Sequence, residues 1–520
     1  MNSSIDITSE QRKTMVDLLR QYIPGVAVWA YGSRVKWTAR PNSDLDLVVF
    51  TAPAQHQLVS ELKNALAESE LSFLVDLHVW DEIPERFREI IRGEYVVIQE
   101  QKDEPRQLSP GSDWRISTWG EEISLEYGKA LRGYSSEKGE YRVYGSNGPI
   151  GWTGEPLAPG PGIILGRKGA YRGIQFCQEP FYVIDTAYYV VPKTELDMRW
   201  LYYAMAYYKL GEIDDGSPIP STTRSAIYIR EFEIPTPREQ RNSAGILGAL
   251  DDRIELNRKL NETLEAIARA IFKSWFVDFD PVRAKAEGRV PEGMDAATAA
   301  LFPGEFRDSE IGEIPSGWKT HPVGDLATVM GGSTPSTKEP ECWDGGEYAW
   351  ATPKDLSSLS MPILLSTAKK ITSQGLARIS SGLLDPGTVL LSSRAPIGYL
   401  AIAEIPTAIN QGFIAMKAKD GVSNLFLLFW TKASHEAIVS RANGSTFLEI
   451  SKSAFRTMPV IVPSPEIMTS FDTIVRPLYE AIVNNEKQSR ILADFRDTLL
   501  PRLISGKLRV PEAEAMLMAV

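Results

Sequence analysis

Three carboxylates carry the clearest chemical signal in the amino-acid sequence. Asp44 and Asp46 stand one residue apart, and Asp76 follows in a second apolar segment. If both segments are neighbouring strands, Asp44 and Asp46 share one face, because strand side chains alternate. Side-by-side carboxylates repel each other, and a divalent cation with oxygen ligands removes that repulsion. The pattern predicts a Mg²⁺ site in which the phosphates of a nucleoside triphosphate complete the coordination.

Gly32 and Ser33 add a phosphate-binding turn to this prediction. They follow an apolar run at residues 26–31 that is typical of a buried strand. Backbone amides and a hydroxyl group at such a turn can hold phosphate oxygens. We therefore expect Gly32 and Ser33 to contact the nucleotide, next to the three carboxylates.

The composition is that of a protein with several hydrophobic cores. The 520 residues are 43% hydrophobic and 24% charged, which excludes disorder and, at roughly 150 residues per domain, indicates several domains. Two cysteines and four isolated histidines give neither a disulfide framework nor a zinc cluster. Without a leader or an apolar run of about 18 residues, we expect a cytoplasmic protein that does not enter a membrane. The net charge of -11 means that any binding of nucleic acid must be local.

Beyond a polar segment at residues 105–112, the chain repeats itself. The sequence IPTP at residues 234–237 matches VPSP at residues 462–465. Each copy also has a Pro-Gly pair before an apolar run that ends near an arginine, Arg167 in one copy and Arg394 in the other. Such a duplication predicts two related α/β modules.

A long helical segment follows each Pro-x-Pro motif. The proposed seam positions are Leu250, Ile254, Asn257, Leu264 and Ile271 in the first helix and Leu478, Ile482, Asn485, Leu492 and Leu499 in the second. One asparagine interrupts each series at the matching place. Heptad seams require a partner helix, and a lone polar seam residue fixes the register at a cost in stability. A loop-like connection between the two copies allows the chain to reverse, which predicts an antiparallel coiled coil. The alternative is that each helix packs on its own module.

Two related modules held apart by paired helices suit duplex DNA, a polymer with a regular repeat. Polar and basic side chains on loops near the repeated arginines are the types that contact phosphates and base edges. The candidates are Arg167, Lys168, Arg172, Thr223, Arg224, Lys338, Ser393, Arg394 and Lys452. For each of them the alternative is a solvated surface side chain.

Several segments resemble the DNA specificity subunit of type I restriction-modification systems, namely ALDDRIELNRKLNETLEAIARAIFKSWFVDFDPV, IPSGW at residues 314–318 and LADFRDTLLPRLISGKL. The resemblance covers about residues 113–509 and implies two target-recognition domains, each recognising half of a split double-stranded DNA site. As partners it implies two modification (methyltransferase) subunits and a restriction subunit that is an ATP-dependent translocase and nuclease. This part of the chain would bind no cofactor, since it has neither an Asn-Pro-Pro-aromatic motif nor a GxxxxGK[ST] loop.

The N-terminal unit resembles the minimal nucleotidyltransferase family, whose pattern is GSxxxG, five residues, SDxD and a later aspartate. The resemblance covers residues 1 to about 100. It implies that Asp44 and Asp46 bind the metal ions, that Asp76 helps to activate the accepting hydroxyl group, and that pyrophosphate leaves. The family glycine falls on Trp37, so the loop must bend without it. The alternative is an inactive nucleotide-binding or docking module.

These patterns predict a multidomain α+β protein: a small α/β nucleotidyltransferase-like domain, then two α/β target-recognition domains joined by two long helices that form an antiparallel coiled coil. The predicted ranges are 1–104 for the nucleotidyltransferase-like domain, 105–112 for a linker, 113–237 and 313–465 for the recognition domains, 238–280 and 466–506 for the helices, 281–312 for a second linker and 507–520 for a tail. The alternative function is a nucleotidyltransferase that modifies a protein or RNA, with the C-terminal part as a targeting module. A fusion that senses nucleotides and adjusts restriction is a third possibility.

Overall fold

The structure is a computed structural model. It describes residues 5–24, 26–40, 43–50, 56–69, 71–80, 83, 87–88, 91, 94–99, 113–134, 139–169, 171–213, 220–444, 448–510 and 512–513. The chain divides into two compact units, Met1–Arg115 and Ile116–Val520. Within the described ranges, no helix combines the length and the apolar character needed to cross a membrane.

The N-terminal unit has one sheet and two helices. The elements are α1 (Ser9–Tyr22), β1 (Val28–Tyr31), β2 (Leu45–Val49), α2 (His56–Ala67), β3 (Val75–Val79) and β4 (Val96–Gln99), with the sheet order β3-β2-β1-β4. Helices α1 and α2 bury apolar residues on the sheet face that carries Leu45 and Leu47. Because side chains alternate along β2, Asp46 lies on the opposite face.

The first module of the C-terminal unit is mostly β structure. Its elements are β5 (Arg115–Thr118), α3 (Trp119–Glu122), β6 (Ile123–Tyr127), β7 (Tyr141–Gly145), β8 (Gly148–Thr153), β9 (Gly162–Gly166), β10 (Ile174–Cys177), β11 (Phe181–Val183), β12 (Ala187–Pro192), α4 (Met198–Tyr207), a 3-10 turn (Leu210–Glu212), α5 (Arg224–Tyr228) and β13 (Glu231–Ile234). They form sheets ordered β10-β9-β12-β6, β11-β7-β8 and β13-β5.

Helix α6 (Pro237–Phe276) follows directly and spans 40 residues, or about 60 Å at the rise of an α-helix. Thr236 caps its start by accepting from the amide of Glu239, and Pro237 occupies the first turn. The helix ends before Phe279, which has a φ of 57°.

Residues 281–312, expected to be loop-like, contain most of α7 (Asp280–Ala286) and all of α8 (Ala296–Leu301) and β14 (Phe306–Ser309). These short elements form because they bury side chains such as Val282 and Phe302 in the neighbouring core.

The second module repeats the architecture of the first. Its elements are β15 (Gly312–Pro315), β16 (Lys319–Pro322), α9 (Val323–Leu326), β17 (Ala327–Met330), a 3-10 turn (Pro340–Cys342), β18 (Tyr348–Ala351), α10 (Pro353–Ser357), β19 (Ile363–Leu364), β20 (Lys369–Ile371), α11 (Ser373–Ala377), β21 (Val389–Ser392), β22 (Leu400–Ala403), β23 (Thr407–Ile409), β24 (Phe413–Ala418), α12 (Asn424–Ala433), α13 (His435–Ser440), α14 (Lys452–Arg456) and β25 (Pro459–Val462). The main sheets are ordered β17-β24-β21-β22-β19 and β20-β18-β23.

Helix α15 (Pro465–Ile504) lies antiparallel against α6, as the sequence predicted. The Asp251 carboxylate is 2.7 Å from Arg496 Nη1, and farther along α6 the Phe272 ring is 6.0 Å from that of Phe471. Rising residue numbers in α6 thus meet falling numbers in α15. The antiparallel coiled coil is confirmed.

The two modules pack on opposite ends of this helix pair. Leu250 of α6 and Leu499 of α15 share one core with Trp200 of the first module. Phe272 of α6 and Phe471 of α15 belong to a second core with side chains of the second module. The helix pair therefore separates the modules.

Candidate functional site

The acidic site lies on the sheet face opposite α1 and α2, which also carries the buried side chains of Tyr31 and Val48. Strands β2 and β3 are parallel and place Asp46 directly beside Asp76, while Tyr31 of β1 lies opposite Asp46. Asp44 precedes β2 and is exposed. Burial, followed by the charges of Asp76 and Asp44, raises the pKa of Asp46. The site therefore concentrates negative charge.

The Gly32 turn touches this site directly. Gly32 has a φ of 81°, and a Cβ atom added to it would lie 2.2 Å from Asp46 Oδ2. No side chain fits there, so the backbone of the predicted phosphate-binding turn lies against the carboxylate. Ser33 follows in the same turn, and its carbonyl oxygen accepts from the amide of Thr38 at 3.0 Å.

Trp37 replaces the glycine of the family pattern without abolishing the bend. It has a φ of 55°, in the left-handed region that costs a residue with a Cβ atom about 1 kcal/mol. The turn thus keeps the conformation that glycine would adopt, at the cost of backbone strain.

Arg34 is a positioning residue that the sequence did not reveal. Its side chain is buried and donates to the carbonyl oxygen of Ser43 from Nε at 3.0 Å and from Nη2 at 2.8 Å. It also donates to the carbonyl oxygen of Asp6 at 2.8 Å. These bonds hold the residue before Asp44 in place. These bonds were not predictable from the sequence, because an arginine in a polar turn is usually solvated.

The acidic residues have the carboxylate oxygens that a divalent cation prefers, but their side chains are not arranged as a complete set of ligands. Asp46 and Asp76 offer adjacent carboxylate oxygens, and His78 Nε2 is 3.1 Å from Asp76 Oδ2. In the part of the chain that the structure describes, no group of three or more histidine, cysteine, aspartate or glutamate side chains is arranged to hold a metal ion. Asp44 would have to turn toward the other two carboxylates to join such a set.

The first module brings Arg167 and Arg224 together over one tyrosine ring. The guanidinium carbon of Arg224 lies 4.1 Å from the ring centroid of Tyr127, and that of Arg167 lies 4.8 Å from it. Tyr127 ends β6 and pairs in register with Tyr188 of β12. We call these four residues the arginine cluster. The sequence pointed to both arginines but not to either tyrosine.

The other candidates of the first module have different roles. Thr223 caps α5 by accepting from the amide of Ala226, and Lys168 is exposed beside Ser221. Arg172 corrects the sequence-based set. Its guanidinium group donates to the carbonyl oxygens of three residues, which are Gly211 at 3.1 Å, Gly169 at 2.8 Å and Ile213 at 3.2 Å. Arg172 thus holds loops together instead of facing a ligand.

In the second module, the corresponding cations lie at the matching place. Arg394 Nη1 is 3.4 Å from Glu449 Oε2, and Lys452 begins α14, which Ser451 caps. Lys338 is exposed. Ser393 is a second correction, since it is buried and only 3% exposed.

All the apolar seam residues except Ile254 pack in or against two cores to which both helices contribute. Leu250 and Leu499 belong to the core of the first module, and Leu492 packs against it. The remaining apolar members packed in the core of the second module are Leu264, Ile271, Leu478 and Ile482. Ile254 is half-buried.

The seam asparagines form a buried polar layer between α6 and α15. Asn257 Nδ2 donates to Gln488 Oε1 at 3.0 Å and to Ser489 Oγ at 3.2 Å. Asn485 Nδ2 donates to Asn261 Oδ1 at 2.8 Å. Sequence reasoning missed Asn261, although its spacing of four from Asn257 places both on one helix face.

An apolar stripe remains exposed on the outer side of α6. Leu256, Leu260 and Ile267 are 53%, 44% and 44% exposed, and Ile491 of α15 is 54% exposed. The spacing of the three α6 residues places them on one face of the helix. The sequence carried this signal as a second apolar periodicity beside the heptad seam.

Two family models match the sequence. The model described as type I restriction modification DNA specificity domain matches residues 112–266 and 315–497, more than half of the chain. The model described as polymerase beta, nucleotidyltransferase, matches residues 13–104.

Individual relatives agree with both matches. The specificity subunit of the type I restriction enzyme MjaIX of Methanocaldococcus jannaschii is 40% identical over 190 residues, which are 36% of this chain and 44% of that protein. The chain thus spans less than half of that relative. The probable protein adenylyltransferase MntA of Haemophilus influenzae is 45% identical over 101 residues, 19% of this chain and 89% of that protein.

A solved structure shares the fold. The crystal structure of a type I restriction-modification system S subunit from M. genitalium superposes with a TM-score of 0.50 at 17% identity. The superposition covers 76% of this chain and 97% of that chain.

Proposed function

The chain belongs to the type I restriction-modification DNA specificity family and carries an N-terminal nucleotidyltransferase domain related to MntA. From this premise we propose that its two modules recognise the two halves of a split DNA site. The observation that carries the proposal is that cations occupy matching places in two modules at opposite ends of one coiled coil. They are Arg167 and Arg224 in the first module and Arg394 and Lys452 in the second. The predicted recognition domains at residues 113–237 and 313–465 are part of this proposal.

The length of the coiled coil supports a two-part DNA site. Along α6, the buried members of the first core end at Leu250 and those of the second begin at Ala268, a separation of about 27 Å at 1.5 Å per residue. One turn of B-DNA is roughly 34 Å long. The helix pair thus holds the modules apart by a distance on the order of one DNA turn, which would allow them to contact separate parts of one duplex.

We further propose that the exposed apolar stripe binds modification subunits. Leu256, Leu260 and Ile267 expose apolar surface on a helix already held by α15, and exposed apolar patches of this kind mark protein interfaces. A restriction subunit would join the same complex. The acidic chain alone would bind DNA weakly, because phosphate neutralisation supplies much of the affinity for DNA.

For the N-terminal domain we propose transfer of a nucleoside monophosphate to a hydroxyl group. MntA is a probable protein adenylyltransferase, which favours adenylyl transfer to a protein. Asp44, Asp46 and Asp76 would hold Mg²⁺, which would supply charge neutralisation at the triphosphate. The acceptor oxygen would bond to the α-phosphorus as the bond to pyrophosphate breaks, and Asp76 would take the hydroxyl proton. The Gly32 turn would place its amides beside the phosphates.

Each half of the proposal has its own test. Labelled ATP with Mg²⁺ should label a protein, either this chain or a partner subunit, and Asp44→Ala with Asp46→Ala should remove the label. Asp17→Ala, an exposed carboxylate on α1, is the matched control and should keep it. Absence of label with the wild type would contradict the transferase activity.

DNA recognition is tested with the assembled complex. Duplexes from a randomised library, bound by the chain with its modification subunits, should yield one motif in two parts with a constant gap. Leu260→Glu should prevent assembly, whereas Val290→Glu, an exposed apolar residue between α7 and α8, should not. Normal assembly of Leu260→Glu would contradict the proposed docking surface.

A further inference from the structure

We propose that Tyr127 is a positioning residue that presents Arg167 and Arg224 together to a pair of acceptor groups on a guanine edge in the first half-site. The inference rests on the proposed DNA recognition and names the base class that the first module prefers. Its evidence is the geometry of the arginine cluster and the contrast with the matching position of the second module.

Tyr127 brings together two cations from distant parts of the chain. Arg167 follows β9 and Arg224 begins α5, and both guanidinium carbons lie within 5 Å of the Tyr127 ring centroid, at 4.8 Å and 4.1 Å. Like charges at such a place repel each other. The negative face of an aromatic ring attracts each guanidinium group and offsets that repulsion.

The Tyr127 ring packs against the ring of the buried residue Tyr188. Tyr188 lies beside it in the next strand, with the ring centroids 5.1 Å apart, and only 1% of Tyr188 is exposed. The Tyr188 hydroxyl group donates to the carbonyl oxygen of Thr222 at 3.3 Å, next to the residue that caps α5. Burial and then the Tyr127 hydroxyl raise the pKa of Tyr188 to about 12, so this donor keeps its proton.

The surface of the cluster is open to a ligand. Tyr127 is 47% exposed. Arg167 Nη1 donates to the carbonyl oxygen of Asp185 at 3.0 Å, and Arg224 Nη2 is 3.7 Å from Glu126 Oε2. A guanidinium group that stacks on a ring keeps its edge available for in-plane hydrogen bonds.

Two acceptors side by side are the natural partner of such an edge. Guanine presents N7 and O6 in the major groove, and a bidentate arginine is the commonest specific contact with it. A phosphate group offers the same pair of acceptors, but every nucleotide carries one. The sequence dependence of binding therefore distinguishes the two sources.

The second module has a glycine, and so no aromatic ring, at the position that matches Tyr127. Tyr127 follows the first residue of α3 by eight positions, and Gly331 follows the first residue of α9 by the same number. Arg224 begins α5 in the first module, and Lys452 begins the corresponding helix α14 in the second. A Cβ atom on Gly331 would lie 2.9 Å from Lys452 Cδ and 3.0 Å from its Nζ. The Lys452 side chain therefore packs against the backbone of Gly331 rather than against a ring. Its ammonium group is a point charge, which suits a phosphate group.

The experiment compares base preferences of the assembled complex, using duplexes from a randomised library. Wild type should show guanine in the first half-site. Tyr127→Leu should weaken that preference about tenfold, within the 1–3 kcal/mol range of one bidentate base contact, and leave the second half-site unchanged. Tyr127→Phe, which keeps the ring, should retain the preference. Tyr134→Leu, an exposed tyrosine elsewhere in the module, should behave as wild type.

Thermal melting of each variant separates this effect from unfolding. A first half-site without guanine, or an unchanged preference in Tyr127→Leu, overturns the inference alone. Equal loss of affinity for all sequences in Tyr127→Leu also overturns it, because the cluster would then bind phosphate. A wild-type complex that enriches no two-part motif overturns the proposed DNA recognition, and this inference with it.

Discussion

The acidic site of the N-terminal unit and the arginine cluster of the first module both bring like charges together, but they balance them differently. Asp46 lies beside Asp76, whose carboxylate is 3.1 Å from His78 Nε2, and the pKa of Asp46 is raised by burial and then by the charges of Asp76 and Asp44. Arg167 and Arg224 share the Tyr127 ring, and Glu126 lies near Arg224. Burial and the neighbouring carboxylates thus disfavour the charged form of Asp46. The arginine cluster is stabilised before DNA arrives.

The largest expected effect is at the acidic site. Asp46→Asn should reduce nucleotidyl transfer to background, since it removes a proposed metal ligand, and should raise the melting temperature in metal-free buffer at neutral pH. The raised pKa means that the stability from protonated Asp46 is present below its unfolded pKa and lost as pH rises through its folded pKa. The advantage of Asp46→Asn should therefore vanish in acid.

Calorimetry of the full chain with and without Mg²⁺ measures this contrast. Mg²⁺ should raise the melting temperature of the wild type more than that of Asp46→Asn. A lower melting temperature for Asp46→Asn at neutral pH would show that the carboxylate is compensated, and the contrast with the arginine cluster would disappear.

A second prediction separates the cations of the two modules. Arg224→Ala should cost about 1–3 kcal/mol of discrimination at one half-site, while Lys452→Ala should weaken binding uniformly and lower the salt slope by about 1. Titrations of the assembled complex at several salt concentrations measure both quantities. Lys319→Ala, on the exposed strand β16, should change neither, and equal behaviour of the first two variants would remove the distinction between the modules.

A third prediction concerns the hydrogen bonds of Asn261 in the polar layer between α6 and α15. The polar layer of the coiled coil contains the buried side chains of Asn257 and Asn261, and Glu486 Oε1 accepts from Asn261 Nδ2 at 2.9 Å. Asn261→Ala leaves Asn485 and Glu486 without these bonds, so the free energy of unfolding should fall by about 1–3 kcal/mol. Denaturant unfolding measures the change. Asn242→Ala, exposed on the same helix, serves as control, and an equal effect there would deny the layer any special role.

The smallest expected effect is at the turn beside the acidic site. Trp37→Gly should raise the free energy of unfolding by about 1 kcal/mol, because glycine adopts the observed backbone without strain. Nucleotidyl transfer should persist. A stability loss above that amount would show that contacts of the Trp37 side chain outweigh the strain.

The acidic site was open to prediction from sequence because its geometry is local. Alternation along β2 and pairing with the next strand place Asp46 beside Asp76. The arginine cluster joins three distant segments, so residue type indicated Arg167 and Arg224 but could not indicate Tyr127. Type alone also failed to show that Arg172 is bound to carbonyl groups.

The coiled coil was predictable for a different reason. Its repeat of seven residues and the matching Asn257 and Asn485 appear twice in the chain, and the duplication identifies each helix as the partner of the other. The short helices between the copies were not foreseen, since six or seven residues carry too little periodicity to distinguish a helix from a loop.

The most direct test of the account is a methylation map of DNA from cells that carry this gene with its modification subunits, compared with cells that lack the gene. We expect one motif in two parts, with a constant gap, to be methylated only when the gene is present. An identical methylation pattern in both cells would contradict it.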